Sequence, residues 1–120
     1  MGQAVNFQEL EVWQKAHQLV LAVYRVTKTF PADEKYGLVT QMRRAAISVP
    51  ANIAEGFKRR GQADKMRFYN TSETSLEELK YYLIPSKDLE YIADIKQLMA
   101  DAETVSRMLY RLIESVNSRQ

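Results

Sequence analysis

Apolar residues recur every three or four positions along four long stretches of the chain, the spacing of one face of an α-helix. The first stretch, 7–30, carries two interleaved stripes. One is Val12, Ala16, Leu19, Val23, Val26 and Phe30, and the other is Leu10, Trp13, His17, Val20, Tyr24 and Thr27. Adjacent stripes make a wide apolar face, as a helix with two neighbours requires. Asn6, with Glu9 three residues on, reads as an N-cap in an Asx variant of the capping box. Pro31 closes the stretch, because the residue before a proline is pushed out of the helical region.

The second stretch, 33–58, starts near Asp33 and follows Leu38, Met42, Ala45/Ala46, Val49, Ile53 and Phe57. Pro50 removes one amide and clashes with the Ala46 carbonyl, which predicts a kink or a restart capped by Ser48. The third, 64–91, opens on Asp64 and follows Phe68, Tyr69, Ser72, Leu76, Leu79, Leu83, Ser86 and Leu89, with Pro85 expected to bend it. Small Ser72 and Ser86 on the apolar line predict close helix approach, and each buried hydroxyl must then find a partner. The fourth, 94–116, opens near Asp94 and carries Ile95, Leu98, Met99, Ala102, Val105, Leu109, Leu112, Ile113 and Val116, then frays into Asn117, Ser118, Arg119 and Gln120. Short links force each helix back beside its predecessor. The expected fold is all-α, an up-down-up-down antiparallel four-helix bundle forming a single domain over 1–120.

Composition narrows this picture. Four Gly and three Pro in 120 residues leave room for few turns. The chain has no cysteine, so disulfide, zinc-finger and thiol chemistry are excluded. No apolar run approaches the ~20 residues of a membrane span. The start, Met1-Gly2-Gln3-Ala4-Val5-Asn6, has neither a signal-peptide pattern nor a myristoylation pattern. These features lead to a cytoplasmic expectation with no membrane partner. Net charge is only +2, but it is unevenly spread. Residues 1–63 hold nine Lys/Arg against five Asp/Glu, whereas 64–120 hold eight against ten. Such asymmetry suits head-to-tail self-association as readily as RNA binding.

A set of local motifs points further. Phe7-x-x-Leu10-x-Val12-Trp13-Gln14-Lys15-Ala16 is followed by Phe30-Pro31, Glu34-x-Tyr36-Gly37-Leu38 and Gln41-Met42-Arg43-Arg44-Ala45-Ala46. Then come Ser48-Val49-Pro50-Ala51-Asn52-Ile53-Ala54-Glu55-Gly56 and Ser75-Leu76-Glu77-Glu78-Leu79. Over about 7–116 this resembles the family of four-helix bundle proteins encoded in intervening sequences of bacterial 23S rRNA genes. It is also similar to the accessory protein of diversity-generating retroelements. The chain departs from the pattern at Thr74, where glycine is usual, at Ser72, where alanine is usual, and at Pro85, where a large aliphatic is usual. These departures bear on packing of the third helix. The resemblance implies a ring-like homo-oligomer, usually a pentamer, and a role tied to RNA without enzymatic activity. Its retroelement relatives bind nucleic acid and a reverse transcriptase, which makes both expected partners.

Polar residues supply two candidate surfaces. Gln41, Arg44, Ser48, Asn52, Glu55 and Arg59 share one face of the second helix. This face reads either as a solvated exterior or as a subunit seam, in which Arg43 or Arg44 meets Glu73, Glu77 or Glu78 of a neighbour. Asn52 and Glu55 alternatively satisfy backbone groups freed by Pro50. Lys58, Arg59, Arg60, Lys65 and Arg67 crowd the second turn, reading either as a solvated loop or as a phosphate-binding site, with Arg43 and Arg44 as further basic candidates. Phe68 and Tyr69 just beyond fit either base stacking or core. Leu21 and Ala22 on the first helix, and Tyr81, Tyr82 and Ile84 on the third, extend apolar character past what one core needs, which suggests an interface.

Catalytic chemistry finds little footing. His17, the only histidine, lies on an apolar stripe and reads as a core or interface residue. Gln14 stands where a di-iron Glu-x-x-His would need its glutamate, and Gln18-Leu19-Val20-Leu21 lacks a phosphotransfer His-x-x-Lys-Gly. A haem pairing with one of the five Met has no supporting motif. No phosphate loop, Ser/His/Asp set or metal spacing appears. Adjacent Glu77 and Glu78 diverge on a helix and make a poor acid/base pair. The expectation is a non-enzymatic, RNA-associated oligomer with no cofactor or metal. The alternative is an adaptor for other proteins without nucleic-acid affinity.

Overall fold

A computed structural model describes residues 3–118. Met1, Gly2, Arg119 and Gln120 lie outside them, and with these residues lie the start of the N-terminal targeting patterns and the end of the frayed tail. The described residues form four helices and no strand: α1 (Glu11–Thr27), α2 (Leu38–Lys58), α3 (Gln62–Asp88) and α4 (Lys96–Asn117). Helix α1 packs on α2 and α4, and α3 packs on the same two. Among the described residues the backbones of α1 and α3 do not approach each other closely, nor do those of α2 and α4. The α1–α2 side is therefore opposite the α3–α4 side. One cluster of buried apolar side chains, with Val23, Met42, Ile53, Leu79, Leu83 and Leu109 at its centre, joins all four helices.

The apolar stripes survive almost intact, but the helix ends move. Phe7–Glu9 forms a short 3-10 turn and Leu10 is extended, so α1 begins at Glu11 rather than Asn6. The Glu9 carboxylate does reach back, but to the Val5 amide (2.9 Å), and the Asn6 side chain caps no helix amide. Phe7 instead packs edge-on against Trp13 at 5.1 Å. Helix α2 begins at Leu38, not Asp33, after a second 3-10 turn over Ala32–Glu34. Its first free amide, that of Leu38, donates to the Glu34 carboxylate (3.1 Å), whose other oxygen accepts the Tyr91 hydroxyl (2.9 Å). One carboxylate thus ties the two loops at this end.

Neither proline restarts its helix. Helices α2 and α3 run through Pro50 and Pro85 without a break, so Ser48 is a mid-helix residue rather than a cap. Helix α3 stops at Asp88, short of Tyr91, for a different reason. Glu90 adopts a left-handed conformation (φ 66°), its amide donates to the Lys87 carbonyl and the Tyr91 amide to the Ser86 carbonyl, both at 2.9 Å. This is the Schellman arrangement, here with glutamate where glycine is usual. At its other end α3 starts at Gln62, with Gly61 as cap, leaving Asp64 in the first turn where a carboxylate suits the helix dipole. Helix α4 opens just after Asp94, whose carboxylate accepts the Lys96 amide (2.8 Å).

The α2–α3 contact is the tightest in the molecule, because small residues meet along it. The Ser72 hydroxyl donates to the Val49 carbonyl (2.8 Å), and the Ser48 and Ser75 hydroxyls share a hydrogen bond (2.7 Å). The Ser86 hydroxyl donates to the Tyr82 carbonyl (2.8 Å) and lies 3.4 Å from the Met42 sulfur. No buried side-chain polar atom among the described residues lacks a partner. Gly56 lies flat against Tyr69, and a methyl group there would sit 2.6 Å from a ring carbon. The departures on α3 are accommodated: Ser72 finds its carbonyl, Thr74 faces solvent, and Pro85 falls in the final turn.

Candidate nucleic-acid interface

The α2–α3 turn is built from the end of one helix and the start of the next, which concentrates their charged side chains at one tip. Lys58 is the last residue of α2 and Arg59 its C-cap; Arg60 and Gly61 make the turn. Lys58, Arg59 and Arg60 are all exposed. The guanidinium of Arg59 lies 4.5 Å over the Phe68 ring and that of Arg67 4.8 Å from the same ring centre. Arg59 also pairs with Glu55 (3.4 Å) and Arg67 with Asp64 (2.9 Å). The hydrogen bond from Arg67, with the charges of Arg67 and Arg59, holds the Asp64 carboxyl below its usual pKa. Both pairs are solvent-exposed, so each contributes little to stability, and a competing phosphate can displace the carboxylate.

Lys65, also expected here, points the other way. Its ammonium donates to the Gly56 (2.7 Å) and Phe57 (3.0 Å) carbonyls. It closes the C-terminus of α2, where free carbonyls and the dipole favour a cation. Arg43 and Arg44 do not join the cluster either. They sit some fourteen residues earlier on α2, about 20 Å away along the axis at helical rise. Arg43 is bound into its own chain: its Nε donates to the Thr27 hydroxyl (2.9 Å) and its guanidinium lies 4.4 Å over the Tyr24 ring. The basic residues that come together are therefore Arg59 and Arg67 over Phe68, with Lys58 and Arg60 exposed in the same turn, while Tyr69 is buried in the core.

The polar stripe of α2 meets α3 of the same chain. Gln41, Arg44 and Ser48 line a cleft of about 90 Å³ with Ser75, Glu78 and Tyr82. Asn52 donates to the Ser48 carbonyl (2.8 Å) and hydroxyl (3.0 Å) rather than to a group freed by Pro50, and Glu55 is held by Arg59. On α3, Glu77 pairs with Lys80 (3.4 Å), which also bridges to Glu103 on α4, and Glu73 is half-buried. Burial alone would lower the pKa of Lys80, but the Glu103 hydrogen bond and the charges of Glu77 and Glu103 outweigh it and raise the value. The same hydrogen bond and charge lower Glu103.

These placements explain why one sequence block is so distinctive. Ser48, Asn52 and Gly56 face α3, and Pro50, Ala51 and Ala54 floor a groove on the α1 side. A model of the 23S rRNA-intervening sequence protein family matches residues 8–111. The chain belongs to that family. Its fold is also found in a crystal structure of a protein of unknown function from the S23 ribosomal protein family of Bacteroides thetaiotaomicron. That chain is 21% identical, with a TM-score of 0.78, over 85% of this chain and 97% of the other. No curated protein sequence matches. For this member of the 23S rRNA-intervening sequence family, sequence reading missed the inward role of Lys65 and the bridges Glu34–Tyr91 and Lys80–Glu103. Pairings so distant along the chain leave no local signal. Only Lys65 had one, since a cation a few residues past a helix end is placed to reach its carbonyls.

His17 lies in the groove between α1 and α2, stacked on Trp13 at 5.1 Å with the rings nearly parallel. Among the described residues, no group of three or more His, Asp or Glu is placed to hold a metal ion. Likewise no helix among them is long and apolar enough to cross a membrane.

Proposed function

We propose that this protein is a non-enzymatic, RNA-associated homo-oligomer of the cytoplasm that lays its α2–α3 turn along a phosphate backbone. The observation that carries this reading is the exposed α2–α3 tip, where Arg59 and Arg67 lie over Phe68 and Lys58 and Arg60 are exposed in the turn. Guanidinium groups match phosphate geometry, and Phe68 offers a ring for stacking once a phosphate draws an arginine aside. The family's tie to 23S rRNA genes supplies the class of nucleic acid. Up-down-up-down topology suits this role, since it presents the same turn at one end of every copy. Three contacts between the end of one helix and the start of another support that topology: Arg43 with Thr27, Met42 with Ser86, and Gln62 with the Val116 carbonyl. A ring, five copies in the reading that the resemblance suggests, would multiply a weak site by avidity.

The test is RNA retention across a salt titration. Four cations on a single strand give a log–log slope of about −3 per subunit, at ~0.7 per neutralised phosphate. Reversing Arg59 and Arg60 to glutamate is expected to remove at least half of that slope while lowering the thermal midpoint only slightly, because the Arg59–Glu55 pair it breaks is exposed. Unchanged retention and slope would put the binding site elsewhere. A second reading, an adaptor for other proteins such as a reverse transcriptase, draws on the exposed Tyr81 and Ile84 of α3. It predicts a partner recovered in high salt and after nuclease treatment.

A further inference from the structure

Two apolar surfaces stand on opposite sides of the molecule. Between α1 and α2 an open groove of about 350 Å³ has Trp13, His17 and Val20 on one wall and Ile47, Ala51 and Ala54 on the other. Ile47 is 43% exposed despite its aliphatic side chain. Between α3 and α4, Tyr81 (61% exposed) and Ile84 (48%) stand beside Met99 over a shallow depression that Glu77, Lys80 and Glu103 also line.

The two surfaces match in spacing and in charge. Along α2 the groove line runs Arg43, Ile47, Ala51, Ala54, Lys58, and along α3 the opposing line runs Glu73, Glu77, Tyr81, Ile84, Asp88. Both advance by four, four, three and four residues, so each is a straight stripe of the same length. The first is small and apolar with a cation at each end; the second is bulky in the middle with carboxylates at each end. Groove against groove would set Arg43 and Lys58 against their own kind, and ridge against ridge would oppose carboxylates.

We infer that the groove is filled by a second copy of this chain, which seats Tyr81 and Ile84 of its α3 against Ile47, Ala51 and Ala54. This rests on the homo-oligomer of the proposed function and names the faces that meet. Because groove and ridge lie on opposite sides, the contact is head-to-tail: every copy keeps one free groove and one free ridge until the chain of copies closes. Arg43 then reads as a groove-end charge held in place by Thr27 and Tyr24.

Light scattering on wild type, on Ile47→Glu and on Ile84→Glu tests this. Both side chains are exposed, so each variant should keep the wild-type helical circular dichroism and unfold cooperatively, with any fall in midpoint vanishing once wild type is diluted below its assembly concentration. Wild type is expected to assemble and each variant to run as a monomer, because a carboxylate in the apolar contact is left unpaired. Mixing the two variants should then give a 1:1 dimer and nothing larger, since only the Ile84→Glu copy has an intact groove and only the Ile47→Glu copy an intact ridge. If wild type assembles and a single variant keeps its mass, or the mixture stays monomeric, these faces are wrong while the oligomer stands. A dimer lost in Ile47→Glu but kept in Ile84→Glu means groove meets groove, which also overturns the inference. A monomeric wild type overturns the oligomer itself.

Discussion

At Gly56 the absence of a single methyl group governs how closely α2 and α3 approach. Alanine favours helix over glycine by ~1 kcal/mol, so on propensity alone Gly56→Ala should stabilise the protein. Yet the added carbon would sit 2.6 Å from the ring of Tyr69, which is buried and has no room to swing. Overpacking of this kind costs about 1–3 kcal/mol, so we expect Gly56→Ala to lower the urea midpoint. A raised midpoint would show that Tyr69 yields freely. Lys65 gives a second contrast at this scale. Asp64 and Arg67 beside it are exposed, but its ammonium closes α2. Lys65→Ala should cost about 1 kcal/mol of stability and leave the salt dependence of RNA retention unchanged. A reduced slope at unchanged stability would return Lys65 to the phosphate-facing set.

At the scale of elements, helix ends and cross-links carry the predictions. Glu90 holds the left-handed position of the α3 terminus, a conformation that costs a side-chain-bearing residue ~1 kcal/mol or more relative to glycine. Glu90→Gly is expected to raise the thermal midpoint, and a fall would mean that the Glu90 side chain contributes more than its strain removes. Helices α3 and α4 are pinned by Lys80, which bridges Glu77 and Glu103. The Glu103 carboxyl is held below its ordinary value of 4.5, chiefly by the Lys80 hydrogen bond. Its contribution is therefore complete above pH 4.5 and is lost as pH falls through the lower folded value. Lys80 is raised above 10.5, so its share persists below that pH and fades above it. In acid titrations Glu103→Gln should flatten the low-pH decline of the unfolding midpoint. An unchanged decline would show that other carboxylates dominate it.

For the whole molecule, the uneven charge noted along the sequence becomes a physical arrangement. Arg43 and Lys58 flank the groove residues along α2, Lys80 pairs with Glu77 and Glu103 on the α3–α4 side, and the basic turn sits at one tip. If several copies hold one RNA, retention must fall more steeply than single-site binding when protein is diluted below its assembly concentration. Filter retention measured across that dilution, with light scattering in parallel, checks this. Retention that follows a single-site curve throughout would separate RNA binding from assembly.

The apolar stripes alone determined that there are four helices and most of the side chains that form the core, because a 3.6-residue period states which face must leave water; Leu89, on the third stripe, is instead exposed beyond the end of α3. They also placed Ser72 and Ser86 at close contacts, since small residues on an apolar line mark where backbones meet. Helix ends were less legible. Asn6 and Asp64 looked like caps and Asp33 like a helix start, but Asn6 caps no helix amide, the first α2 amide goes to Glu34, and Gly61 takes the N-cap position of α3 with no side-chain bond. Several local solutions are nearly equal in energy at a terminus, and packing of Phe7 on Trp13 or of Phe30 on Tyr91 selects among them. The basic run was legible as composition, but only the tertiary structure decided which cations face solvent. Direction of a side chain depends on what carbonyl or ring lies within its reach, and that is set by residues far away in the chain.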